Sequence, residues 1–241
     1  MNLNAGVIII GSLYWDDHFD KSKNDFIRQL WRQNNLEIDD LYVPLPICYG
    51  RKSNRREIFT MIYSSSKEQH LGQGIVKKFK LPINSFEDVE YQAIQLAKAE
   101  GIYTERNTNI SSNWGSVGLL INPIFHLRDR EAFENIEKNW KLLYSKFKNT
   151  FKSQTYKFDS DENPVIDNDG IIKIKWHTTL DNYDFLLSTV NVPIPVSEST
   201  TCEIANAMNK KSEFEYFEKN RKSNIFTFLD SEIEKKLNKN K

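Results

Sequence analysis

The acid best placed to do chemistry is Glu100, near the end of QLAKAEGIYTE, Gln95–Glu105. The residues before it predict a helix. Ser85-x-x-Asp88 resembles a capping box, and Phe86, Val89, Ala93, Leu96 and Ala97 form an apolar stripe. Gly101 is a natural left-handed stop. Glu100 continues the stripe by steps of three and four, so its carboxylate points toward the core or a pocket floor. It also lies in the last helical turn, where the macrodipole is negative. Both effects disfavour the ionised form and raise the expected pKa, which suits general acid–base work near neutral pH. In the alternative, the helix rotates slightly and Glu100 reaches solvent at a frayed end. Glu87, Asp88, Glu90 and Glu105 compete for the role, and each reads more simply as a solvated charge.

A second candidate is the bend in VIIIGSLYWDD, Val7–Asp17. Gly11 removes side-chain bulk, so successive N–H groups there can form a small anion-binding nest. Ser12 adds a hydroxyl, and Leu13, Tyr14 and Trp15 supply walls. The plainer alternative is an ordinary turn that sends its aromatics into the core. No GxSxG, Walker A or GxGxxG pattern accompanies the Gly-Ser pair. A third candidate is YGRKSNRRE. Its Arg51 and Arg55, beside Lys52 and Arg56, can hold a substrate carboxylate or phosphate through forked contacts; a solvated turn is the alternative. Trp114-Gly115-Ser116 repeats the Gly-Ser pair before a strand, and either lines the same pocket or closes a turn.

The elements that must position these groups read as α+β. Residues 6–11 predict a short buried strand, followed by a helix near 23–34 capped by Asn24 or Asp25. In that helix Phe26, Ile27, Leu30 and Trp31 share one face. Leu41–Gly50 holds two prolines and predicts an edge strand or extended loop. Residues 57–63 and 71–81 predict an antiparallel pair, and 116–123 a buried strand. A helix over 129–148 carries Phe133, Ile136, Trp140, Leu143 and Phe147 on one face. Residues 149–170 predict a surface excursion, 171–177 a strand, and DNYDFLLSTVN a short helix. NVPIPV reads as an extended loop. Thr200-x-x-Glu203 and Ser231-x-x-Glu234 open further helices, the first running on toward Arg221. No linker divides the 241 residues, so the expectation is a single domain: a core over 1–125 and a helix-rich extension over 126–241 packed on it.

Composition narrows the partners. Lys+Arg and Asp+Glu both number 33, which gives no support to a nucleic-acid groove. The run Val7–Ile10 is too short for a signal core or a membrane span. A cytoplasmic protein that handles a small molecule is the expectation, and a homodimer is compatible with the sequence. Cys48 and Cys202 fit no metal spacing and read as small buried hydrophobes; the four histidines stand alone. No metal site is expected.

Taken together, two motifs resemble the gamma-glutamylcyclotransferase-like superfamily. The strand running into GSLYW is similar to that family's YGSL signature, and QLAKAEGIYTE, Gln95–Glu105, is similar to the segment around its catalytic glutamate, where a helical stretch ends in Glu-Gly. The strand with GQGIVKKF resembles its Gly-rich strand. The resemblance covers roughly residues 6–125 and departs where Ile10 replaces the family's tyrosine. It implies a small mixed β-barrel flanked by helices and no cofactor. The turn amides around Gly11–Leu13 would hold a γ-glutamyl group while Glu100 moves a proton, releasing 5-oxoproline. The rival expectation is a non-catalytic protein on the same fold that captures an anionic metabolite or signalling nucleotide. A third is an interaction module with an aromatic surface.

Overall fold

A computed structural model describes residues 1–18, 25–53, 57–64, 70–146, 165–194 and 199–237. The elements run β1 (Ala5–Ile9), α1 (Ile27–Asn35), β2 (Leu41–Leu45), β3 (Ile47–Lys52), β4 (Phe59–Tyr63), β5 (Gly72–Lys78), α2 (Phe86–Ala99), β6 (Gly115–Ile121), α3 (Phe125–Arg128), α4 (Arg130–Ser145), β7 (Phe185–Asn191), α5 (Thr201–Lys211), α6 (Glu215–Lys222) and α7 (Asp230–Lys236). Five strands form one sheet in the order β2-β5-β1-β7-β6, and β3 and β4 form a separate two-stranded sheet. The mixed α+β class holds. The expected closed barrel does not appear among the described residues: β2 and β6 are the sheet edges and do not pair with each other. Pro44 and Pro46 lack the N–H that a further strand would need on that side.

The centre of the large sheet is dry. All five residues of β1 are buried, as are the first six of β7. β1 runs parallel to β7, with Ile8 opposite Ser188, and antiparallel to β5. The chain after residue 126 therefore supplies a central strand, and not only the expected helical layer. The short helix expected over DNYDFLLSTVN is this strand. A short apolar run has no period that separates a buried strand from a buried helix, and here burial on both faces decides. The expected pairing of 57–63 with 71–81 is also different. β4 pairs with β3, while β5 lies between β1 and β2. Ile171 and Ile172 make only isolated bridges, so the expected strand there is vestigial.

Helix α2 follows the sequence closely. Ser85 and Asp88 form the capping box, and Val89, Ala93, Leu96 and Ala97 are buried. Glu100 is the C-cap, and Gly101 takes the left-handed conformation at φ 70°. Asp129 caps α4 by accepting from the Ala132 N–H. In α1 the expected face is rotated. Arg28, Trp31 and Asn35 are buried, whereas Ile27 and Leu30 are exposed. Of its two expected caps, Asn24 lies outside the described residues. Asp25 accepts from the Ile27 N–H at 3.4 Å. The helix opened by the Thr200/Glu203 box breaks at Ser212, so α5 and α6 are distinct. Among the described residues no helix is long and apolar enough to cross a membrane.

A hydroxyl relay joins the two sheets. Ser188 Oγ donates to Ile8 O at 3.0 Å and lies 2.6 Å from Tyr63 Oη at the end of β4, so the Tyr63 hydroxyl donates to Ser188. Ser188→Ala removes both bonds and costs about 1–3 kcal/mol. Tyr63→Phe removes one bond and costs about 1 kcal/mol. Urea denaturation should rank the two variants in that order. At α7 the cap expected at Ser231 forms one turn earlier. Asp230 Oδ1 accepts from the Thr227 N–H at 2.8 Å and hydroxyl at 2.6 Å. Burial pushes the Asp230 carboxyl up to about 6 against the lowering by Thr227. A raised folded value means that stability from this group is gained as pH falls from about 6 to 4, and is absent above. Asp230→Asn keeps the Oδ1 acceptor without the charge. It should be the more stable form at pH 8, by up to about 3 kcal/mol. The gap should close by pH 4 in denaturation curves.

Candidate functional site

β1 and β7 end side by side, and a cavity of about 360 Å³ opens at their carboxyl ends. That size suits a small molecule. Ile8 to Leu13 form one wall and Ser188, Thr189 and Asn191 another. Arg28, Glu100, Arg51, Trp114, Met61 and Tyr216 close the rest.

The bend after β1 is held from inside. Gly11 O accepts from the Tyr14 N–H at 3.1 Å, and Ser12 O from the Asp16 N–H at 2.7 Å. Among the described residues no acceptor takes the N–H of Gly11, Ser12 or Leu13. Three consecutive amides are thus free at the cavity wall, a backbone geometry that receives negative charge. Gly11 is required by close approach: a Cβ there would lie 2.7 Å from Tyr216 Oη. That hydroxyl accepts from the Met61 N–H at 3.1 Å and so has little room to retreat.

Glu100 reaches the same cavity, and α1 holds it there. Arg28 Nη2 donates to Glu100 Oε2 at 2.9 Å, Nη1 to Ser12 Oγ at 3.2 Å, and Nε to Ala99 O at 3.2 Å. Asp16 Oδ2 lies 3.7 Å from Nη1. One guanidinium therefore ties the C-terminus of α2 to the Gly-Ser bend. One turn on, Arg32 donates to Leu13 O at 2.6 Å and Asp16 O at 3.0 Å. Glu100 is neither an isolated buried acid nor a frayed surface charge: 17% of its side chain is exposed, and it is half of an ion pair. The sequence reading weighed burial and helix dipole but left out this cation.

Glu100, Gly11, Ser12, Leu13 and Arg51 are brought together, with Ile10 and Trp114. Tyr14 and Trp15 are not. The Tyr14 hydroxyl donates to Asp40 Oδ2 at 2.6 Å, and burial, aided by that bond, pushes its pKa up. Trp15 Nε1 donates to Asn220 Oδ1 at 2.6 Å, with its ring edge-on to Tyr216. Both aromatics point away because the bend's two sides face different layers. Arg55 lies outside the described residues. Arg51 donates to Val192 O at 2.7 Å and sits 5.7 Å from the Trp114 ring centroid; burial pulls its pKa down. Arg28, Thr189 and Tyr216 are among the lining residues that the sequence did not single out. Only Arg28 left a trace, since 28, 31 and 35 share a helical face.

Set against known proteins, no family model, curated protein or solved structure matches the chain.

If Gly11 is needed for the Tyr216 approach, Gly11→Ala should cost about 1–3 kcal/mol by overpacking. In a Tyr216→Phe background the clash is relieved and the same change should cost less. A double-mutant cycle read by chemical denaturation measures that coupling; equal costs in both backgrounds would refute it.

Proposed function

We propose that the chain is a cyclotransferase-type lyase that acts on a γ-glutamyl or related amide and releases a cyclic product such as 5-oxoproline. The supporting observation is that the Glu100 carboxylate and the free amides of Gly11–Leu13 line one cavity, joined through Arg28. In this reading residues 1–125 and β7 together form a gamma-glutamylcyclotransferase-like core, working in the cytoplasm on a small metabolite. Glu100, as a carboxylate, takes a proton from the substrate's α-ammonium. The freed amine attacks the γ-carbonyl carbon, closing a five-membered ring. Negative charge developing on the carbonyl oxygen is met by the bend amides. The γ C–N bond then breaks as Glu100 returns the proton to the leaving amine, which departs as an ammonium after taking the second proton shed by the ring nitrogen. Attack within one molecule supplies proximity without a second substrate. Arg28 acts as a positioning residue, holding one carboxylate oxygen and leaving the other to the substrate. The mechanism requires no metal or organic cofactor.

A non-catalytic reading has one observation in its favour. The cavity holds a further cation, Arg51, which has no acidic partner among the described residues, so an anion would be captured without chemistry.

Glu100→Gln decides between them. General acid–base help contributes about 10²–10⁴-fold. 5-Oxoproline release from a panel of γ-glutamyl amines should fall by that factor, with the melting temperature little changed. Undiminished turnover in the variant rejects the assignment of Glu100. No turnover by the wild-type protein on any panel member favours capture.

A further inference from the structure

The proposed reaction uses the end of the cavity at Glu100 and the bend. The end at Arg51 is built as carefully and is left with unmet polar groups. Arg51 spends one N–H on Val192 O, and its neighbour on that side is Asn191 at the close of β7. Val192 in turn donates to Trp114 O at 2.9 Å, so strand end, tryptophan and guanidinium form one corner. Thr189 and Asn191, two positions apart on β7, share a face and both line the cavity. Thr189 is 8% exposed. Its Oγ1 and the Asn191 Oδ1 are buried without a hydrogen-bond partner among the described residues.

Buried polar atoms in folded proteins are almost always paired, and an unpaired one costs its desolvation. A half-buried cation without a counter-charge is costlier still. Three such groups lining one cavity, a cation, a hydroxyl and an amide whose oxygen is unmet, point to a partner that is not part of the chain. The remaining N–H groups of Arg51 form a fork that fits a planar carboxylate or a phosphate edge. The Thr189 hydroxyl can donate a further bond. Asn191 can present its NH₂ to the anion or its carbonyl to a donor on the same molecule.

We propose that Arg51, Thr189 and Asn191 form an oxyanion subsite, which binds a carboxylate or phosphate on a small ligand whose other end reaches toward Glu100. The subsite stands independently of the lyase reading, because it is built from groups that reaction does not use.

The test is binding of simple oxyanions to the full chain, with inorganic phosphate and malonate as probes against chloride at equal ionic strength. A ligand that binds only the folded state raises the melting temperature with its concentration. Wild-type protein should show a saturable rise with at least one probe, and the probe that saturates lower names the anion as phosphate or carboxylate. Arg51→Met should abolish the rise. Thr189→Val, which keeps the shape of the side chain, should weaken binding by about tenfold for one lost bond to a charged group. It also carries the test if Arg51→Met fails to fold. Glu100→Gln, which removes a negative charge from the same cavity, should bind the anion no more weakly than wild type, so loss of the lyase reading would leave this result standing. No saturable rise with either probe overturns the proposal, as does a rise unchanged in Thr189→Val.

Discussion

Everything at the site rests on one guanidinium. Arg28 contacts the C-cap acid of α2, the last carbonyl of that helix and the serine of the bend. Without it, Glu100 and the bend would be two features of neighbouring elements with no fixed relation. An acid placed at a helix C-terminus meets the negative end of the dipole, and a cation at that point offsets it. Arg28 also takes the Ala99 carbonyl, one of the groups that a helix end leaves unpaired. The same side chain thus solves a structural problem of α2 and positions a functional group. This explains the rotation of α1, whose buried face carries Arg28 and Asn35 beside Trp31 while Ile27 and Leu30 face outward.

The position of that guanidinium depends in turn on the sheet. β1 is central because β7, from far down the chain, pairs with it in parallel. Parallel neighbours end on the same side, and open sheets commonly bind ligands outside the carboxyl ends of their strands. Here the bend follows β1 at that end, and Thr189 and Asn191 lie at the corresponding end of β7. Two sets of polar groups therefore face one space although most of the chain separates them in sequence. The second sheet closes the cavity from below through Met61, and the Tyr63–Ser188–Ile8 relay fixes its distance from β1. A serine in the middle of a dry strand is otherwise hard to explain.

Local chemistry was legible in the sequence and pairing was not. The Ser85–Asp88 box, the α2 stripe and the Gly101 stop were readable because each is settled within a few residues. So was the edge character of Leu41–Leu45, where Pro44 lacks an N–H. β7 was misread because six consecutive buried residues carry no period. The partners of β4 and β5 were misread because proximity in sequence favours a hairpin, whereas β5 pairs with β1 and β2 and β4 with β3, contacts that no local pattern encodes. Glu100 and Gly11–Leu13, which line one cavity, stood out in the sequence through spacing and backbone freedom, but each had a plainer alternative and only the family resemblance favoured them. Tyr14 and Trp15 were assigned wrongly to the cavity because a turn fixes directions that residue types do not. Thr189 could not be found at all: its meaning depends on the absence of a partner, which only the folded arrangement reveals.

The two ends of the cavity differ in a way that bears on how it binds. At Glu100 the charges are matched before any ligand arrives, since Arg28 faces Glu100 and Asp16. At Arg51 they are not. An end already satisfied can hold a group in a fixed orientation while contributing little net attraction, because a ligand must compete with an existing ion pair. An unsatisfied end gains its full complement of hydrogen bonds only on binding. Affinity should therefore come mainly from the Arg51 corner and orientation mainly from the Glu100 end. This division suits a catalyst, where binding energy from a remote part of the substrate is used to align the reacting part.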